Sequence, residues 1–367
     1  MLKAADIQSE KHTGVMTSRE RTRCSLSHKE PDRLPVSFGA LFTGATSAMQ
    51  GRIADVLGIR GERDPRFTQF DNRIQEYFGC DLRLAPGHWG RFRKDENDFP
   101  LRTASLEDVY RYAWPKPHGN GLDRVVNETR FLHRETDYFI VAPTVAPGIF
   151  EAGCWLRGYD QWLMDIAADE TFVRHFNDIY LSVITPLIDE YFGAVGKYID
   201  LVIIGDDLAT QSGPYISPEH FRALFKPYFK AYIEAVGRHC PRAFIGHHCC
   251  GSSFQLMDDL KDIGVDLINP VQTTAKDMHL ENLVTRKKDF SFLGGVDLQH
   301  VLPYGTTEEV AEFVRSLIRT LAPGGGYVLG PCHTLPDDVR PENVITMLET
   351  AREAGGWTHN ARWVTKA

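Results

Sequence analysis

An α/β barrel of the (β/α)8 type is the fold this sequence predicts, and three observations predict it. Short apolar runs recur from Tyr138 onward with helical segments between them, the rhythm of parallel strands joined by crossover helices. Runs such as Leu201-Val202-Ile203-Ile204 are apolar without interruption, as expected of strands buried on both faces. Polar residues gather at or just past the ends of these runs: Asp206, Asp207, His248, Cys250, Asn269, Gln272, Asp297, Cys332 and His333. In such a barrel the strand ends meet at one mouth, so residues distant in sequence converge there.

Taken in order, residues 1 to about 15 read as a loose leader. Ser18, in Thr17-Ser18-Arg19-Glu20, is the expected N-cap of a first helix. Leader and helix fill 1–33, and the barrel 34–367. Leu34 to Phe38 is the first short strand. Ala40 to Gly61, rich in Gly, Ala, Ser and Thr, predicts loop and helix over a site. Gly79 ends a helix, and Asp81 to Ala85 is the second strand. Residues 87–135, charged and aromatic with Trp89, Trp114, Pro115 and Pro117, read as an inserted segment or small hairpin layer.

Phe139 to Ala142 is the next strand. Trp155 to about Gly193 is helical, with a break at Ala168-Asp169. After the strand at Leu201 to Ile204, Ser217-Pro218-Glu219 starts a helix with serine as N-cap. Ala243 to Ile245 is a strand leading into His247-His248-Cys249-Cys250-Gly251. A helix over Leu256–Ile263 closes at Gly264. Asp266 to Pro270 is strand and turn, and Phe290 to Leu293 is a strand running into Gly294-Gly295-Val296-Asp297. Thr306-Thr307-Glu308-Glu309 is a capping box. It opens a helix whose Val310, Phe313, Val314, Leu317 and Leu321 share one face, and Gly324-Gly325-Gly326 stops it. Tyr327 to Leu329 is the last strand, and Pro341-Glu342-Asn343 starts the last helix.

The 367 residues are 43% hydrophobic and 25% charged, with a formal net charge of −8. These values fit a soluble globular chain with a large core. The absence of a basic block argues against a nucleic-acid partner. The apolar runs are too short to span a membrane, and the polar N-terminus lacks the apolar stretch of a secretory signal. Seven unevenly spaced cysteines argue for free thiols in a reducing cytoplasm and against a disulfide framework.

Phe244 to Ser253 carries the sharpest chemical signal. On a strand, alternate side chains share a face, so His248 pairs with Cys250 and His247 with Cys249. Either pair sets an imidazole beside a thiol, the donor set of zinc. One pair cannot close a site, and Cys332 in Gly330-Pro331-Cys332-His333 is the candidate third ligand. Two cysteines and a histidine leave one zinc position open. Such an ion holds a substrate thiol as thiolate or polarises an ether or alcohol oxygen, and both roles suit methyl transfer. Asp206 and Asp207 are the candidate catalytic carboxylates, one of them facing substrate or orienting His248. Glu151, Trp155, Gln211, Gln272, Asp297 and His333 are candidate substrate contacts. Each also has a plain alternative as a helix cap, packed side chain or loop support.

His248-Cys249-Cys250-Gly251 resembles the H-x-C-G pattern of zinc methyltransferases in the uroporphyrinogen decarboxylase superfamily. Gly205-Asp206-Asp207-Leu208, Gly264 to Gln272, Gly294-Gly295-Val296-Asp297, Leu302 to Thr306 and Pro341-Glu342-Asn343-Val344 also resemble that superfamily. The resemblance runs through most of the chain from Arg19. It implies a barrel with its site at the C-terminal mouth, and zinc on His248, Cys250 and Cys332. It further implies methyl transfer between a methoxy compound or thiol and a corrinoid (cobalamin) carried on a partner protein. The superfamily's other branch decarboxylates porphyrinogen acetates without metal, using an arginine-rich motif whose place is taken here by Ser37 to Phe42. A non-catalytic binding protein with a structural metal is the alternative from another class.

Overall fold

The computed structural model describes residues 15–62, 64 and 70–356. The expected leader lies almost wholly outside these. Seven strands form one mostly parallel sheet: β1 (Leu82–Leu84), β2 (Phe139–Pro143), β3 (Leu201–Gly205), β6 (Phe244–His248), β7 (Leu267–Asn269), β8 (Ser291–Val296) and β9 (Tyr327–Pro331), neighbours in that order. A separate antiparallel hairpin, β4 (Ala209–Thr210) with β5 (Gly213–Pro214), follows β3. β2, β3, β8 and β9 are buried along their whole length, which explains their unbroken apolar sequence. This is the TIM-barrel-like α/β architecture that the strand-helix rhythm predicts.

The expected first strand, Leu34–Phe38, is reduced to a single bridge between Val36 and Leu329. It nevertheless bonds on both sides. Ser37 N–H donates to Leu329 O at 2.7 Å, and Asp81 N–H donates to Val36 O at 2.8 Å. The segment thus occupies the eighth strand position, between β9 and the residue preceding β1. Pro35 within it has no N–H to give a ladder, so regular pairing stays short.

Contacts gather the described chain into two compact units. One comprises the described residues up to Leu84, Leu132–Val141 and those from Val284 onward. The other comprises Ala85–Phe131 and Ala142–Leu283.

In the first unit, the helix Ser18–Leu26 is capped by Thr17, one residue before the expected Ser18, because Thr17 closes a capping box with Glu20. The helix lies at strand starts: Ser25 Oγ donates to Tyr327 O at 2.9 Å and Arg19 Nε donates to Tyr138 O at 3.1 Å. The capping box at Thr306 and Glu309 is present, and the helix Thr307–Leu321 buries Val310, Val314, Leu317 and Leu321 as expected. Phe313 is half-buried instead. Each fully buried aliphatic side chain contributes about 1.5–3 kcal/mol. Gly324, Gly325 and Gly326 all have φ near +78°, which ends the helix.

Residues 87–135, most of them in the second unit, hold helices Leu106–Arg111 and Leu122–Glu135 and no strand among the described residues, which rules out the small hairpin layer. Ser105 and Asp108 close a capping box there, which favours helix over hairpin. The long helical region breaks at Asp169, as expected, and also at Gly158, giving helices Ile149–Arg157, Tyr159–Ala168 and Glu170–Val195. Gly158 has φ +83°, which a helix cannot contain. β6 extends further than expected and carries both histidines inside the strand. No described helix is long and apolar enough to cross a membrane.

Candidate functional site

β6 and β7 pair in parallel with His248 opposite Asn269. That register sets the chemistry of the histidine. Asn269 Oδ1 lies 2.7 Å from His248 Nδ1. An amide oxygen only accepts, so Nδ1 carries the proton and Nε2 presents its lone pair. Cys250 Sγ lies 3.8 Å from that Nε2. Nitrogen and sulfur bound tetrahedrally to one zinc stand about 3.6 Å apart, so the pair fits an ion with little adjustment. His248 is buried and Cys250 half-buried.

The opposite pair fares differently. His247 is fully buried, packs on Phe229 with ring centroids 5.2 Å apart, and neither ring nitrogen makes a well-formed hydrogen bond. Burial pulls it down to about 3, with the Asp206 backbone only partly opposing. It is a neutral core imidazole. Cys249 is buried, and its thiol donates to Cys250 O at 3.3 Å.

The turn after Cys250 is held from several sides. Asp207 Oδ1 accepts Cys250 N–H at 2.7 Å, and Gln272 Oε1 accepts Gly251 N–H at 2.8 Å. Gly251 has φ +84°, and a Cβ there would stand 2.4 Å from Thr210 O. Glycine is required by both conformation and space.

Asp206 is 1% exposed and accepts Glu151 N–H at 2.9 Å and Phe150 N–H at 3.2 Å. It caps the helix Ile149–Arg157, whose own N-cap residue, Gly148, offers no side chain. A Cβ on Gly148 would meet Asp206 Cγ at 2.2 Å, so glycine lets the carboxylate in. Burial pushes Asp206 up to about 7 despite these N–H bonds. Glu151 is pushed up to about 8, first by burial and then by the charges of Asp206 and Asp207. Three carboxyls therefore share one small region, two of them holding protons near neutral pH.

Among the other expected contacts, Trp155 is half-buried beneath the Arg93 guanidinium, 4.7 Å from its ring centroid. Gln211 stands exposed at the tip of the β4–β5 hairpin, its carbonyl accepting Lys276 N–H. Gln272 supports the turn after Cys250.

The other unit holds Asp297, Cys332 and His333. Asp297 accepts the backbone N–H groups of Gln299, His300 and Val301 at 2.8–3.2 Å and so caps the short helix Val301–Tyr304. Cys332 is buried just past β9, with its N–H bonded to Val296 O, and burial pushes its thiol up to about 12. His333 is half-buried against Phe42, with ring centroids 5.4 Å apart.

The sequence puts Asn269 at a strand end without a role, because only register reveals its partner. Tyr159 and Tyr215 carry no sequence signal.

The sequence profile of uroporphyrinogen decarboxylase (URO-D) matches residues 74–354. The chain belongs to this family. No curated protein matches it. Among solved structures, a methyltransferase from Methanosarcina mazei is 15% identical with a TM-score of 0.62, covering 92% of this chain and 99% of that one. The catalytic core of a xylanase A is 10% identical with a TM-score of 0.43, covering 89% and 99%. For this URO-D family chain, the first of these likenesses is one of fold.

Proposed function

We propose that this URO-D family protein is a zinc-dependent methyltransferase working with a corrinoid carried on a partner protein. The observation that carries the reading is the imidazole–thiol pair of His248 and Cys250, with Asn269 fixing the tautomer whose Nε2 lone pair faces the Cys250 sulfur. In this proposal His333 serves as the third ligand beside His248 and Cys250, with its neighbour Cys332, the ligand implied by resemblance, as the alternative. The solved methyltransferase of the same fold adds support.

Bound zinc would supply Lewis acidity to a methoxy oxygen, or hold an acceptor thiol as thiolate, while the corrinoid gives or takes the methyl group. The chain's own residues do the rest. Asn269 orients His248, Asp207 and Gln272 hold the turn that aims Cys250, and Glu151, a neutral acid near pH 7, can donate a hydrogen bond or proton to a developing alkoxide. The family match keeps metal-free decarboxylation as the second reading.

Metal analysis of the purified protein separates the two. The expected result is one zinc per chain, lost in the His248→Ala/Cys250→Ala double variant. Zinc affinity falls strongly in His333→Ala and is retained in Cys332→Ala; the reverse pattern would give the third position back to Cys332. Asn269→Ala weakens zinc roughly 10–100-fold, as loss of a ligand's orienting partner does. A wild type without zinc, or a double variant that keeps it, rejects the reading. A cobalamin spectrum recorded with candidate methyl donors then tests the transfer.

A further inference from the structure

The second unit presents an aromatic surface that the reading above leaves unused. Phe150 follows the helix start capped by Asp206 and is fully buried. Tyr215, just past β5, stacks on it with ring centroids 5.8 Å apart and planes 24° from parallel. Tyr159, at the start of the next helix, leans on Tyr215 at 5.5 Å and 46°. Both tyrosines remain 37–40% exposed, so part of each ring reaches solvent. Neither phenol hydroxyl has a hydrogen-bond partner among the described residues. Burial, and then nearby Cys154 with Asp207, keeps both phenols protonated. Glu151 also acts on Tyr159, and Cys250 on Tyr215. Phe150 adjoins Glu151 in the chain, and the hairpin that leads into Tyr215 accepts Ser252 N–H at Thr210 O, 2.8 Å away and two residues past Cys250.

We infer that Tyr159 and Tyr215 form a shelf that binds the aromatic ring of a methoxylated arene, so that the substrate class is an aryl methyl ether. The inference rests on the metal site proposed above and names what that site acts on. An aliphatic or sugar ether gains little from two tyrosine faces. An arene gains stacking against them, with Phe150 locking Tyr215 from behind so that less motion is lost on binding. The two free hydroxyls suit the ring substituents of a phenol. Cleavage transfers CH3+ from the aryl oxygen to a reduced, cobalt(I) corrinoid. The C–O electron pair stays on the phenolate, and a proton from Glu151 or water completes the phenol.

The test compares 2-methoxyphenol with 2-methoxycyclohexanol, which has the same substituents and no π face, by calorimetry on the purified full chain. Wild type is expected to bind the arene about tenfold more tightly, the scale of one or two aromatic contacts. Tyr215→Leu should abolish the preference and Tyr215→Phe retain it, with zinc content unchanged in both. Equal affinity for the two compounds, binding of neither, or a preference that survives Tyr215→Leu overturns the inference. A preference found in protein that holds no zinc would leave the shelf standing and reject the metal reading. Zinc present without a preference rejects the shelf alone.

Discussion

Around Asp81 buried charge faces opposite charge, whereas around buried Asp206 the half-buried carboxyls of Asp207 and Glu151 crowd a like group. Asp81 is fully buried and receives Arg21 at 2.8 Å, Arg33 at 2.7 and 2.8 Å, and the backbone N–H of Val36 at 2.9 Å. Arg21 also holds Asp32 at 2.6 Å. Burial alone would raise Asp32, but the Arg21 bond and charge pull it below the ordinary carboxylate range. Asp206 is steadied by the backbone N–H groups of Phe150 and Glu151 instead. The first cluster joins the N-terminal helix to the strand starts and is a device of stability. The second stores electrostatic tension beside the His248–Cys250 pair, as functional sites commonly do.

Breaking the first cluster gives the largest expected effect. Asp81→Ala strands two arginines in a buried site and costs about 3–5 kcal/mol, read from urea unfolding. A loss below about 1 kcal/mol would mean that the pairing has no structural weight. Next comes Asp206→Ala, which uncaps Phe150 and Glu151 and costs about 1–2 kcal/mol. Asp206→Asn keeps an acceptor and removes a charge, so its loss should be clearly smaller. Equal losses in the two variants would sink the capping account.

The third expectation concerns pH in the metal-free protein. Glu151 and Asp206 sit at about 8 and about 7 when folded, above the values near 4 of exposed carboxyls. The folded state then binds more protons than the unfolded one between about pH 4 and 8, so their share of stability falls as pH rises through that window. Each retained proton contributes a slope of about 1.4 kcal/mol per pH unit. Glu151→Gln should therefore flatten the decline between pH 5 and 8 relative to wild type. A parallel decline in the variant would show that Glu151 is ionised throughout.

The strand rhythm, the helix stops at glycine, the capping box at Thr306 and the pairing of His248 with Cys250 were all determined by the sequence itself. Each follows from a period of a few residues, and the backbone enforces such periods locally. Distance in sequence hid the rest. Asp206 caps a helix whose bonded residue lies 55 positions earlier, and Asn269 reaches His248 across 21. Tyr215 meets Phe150 only because the hairpin after β3 folds back over that helix start. Leu34–Phe38 read as a full strand and forms one bridge, since the apolar pattern does not register the N–H that Pro35 lacks. Which acceptor meets which donor depends on strand register and on how distant segments pack, and only the tertiary structure decides those.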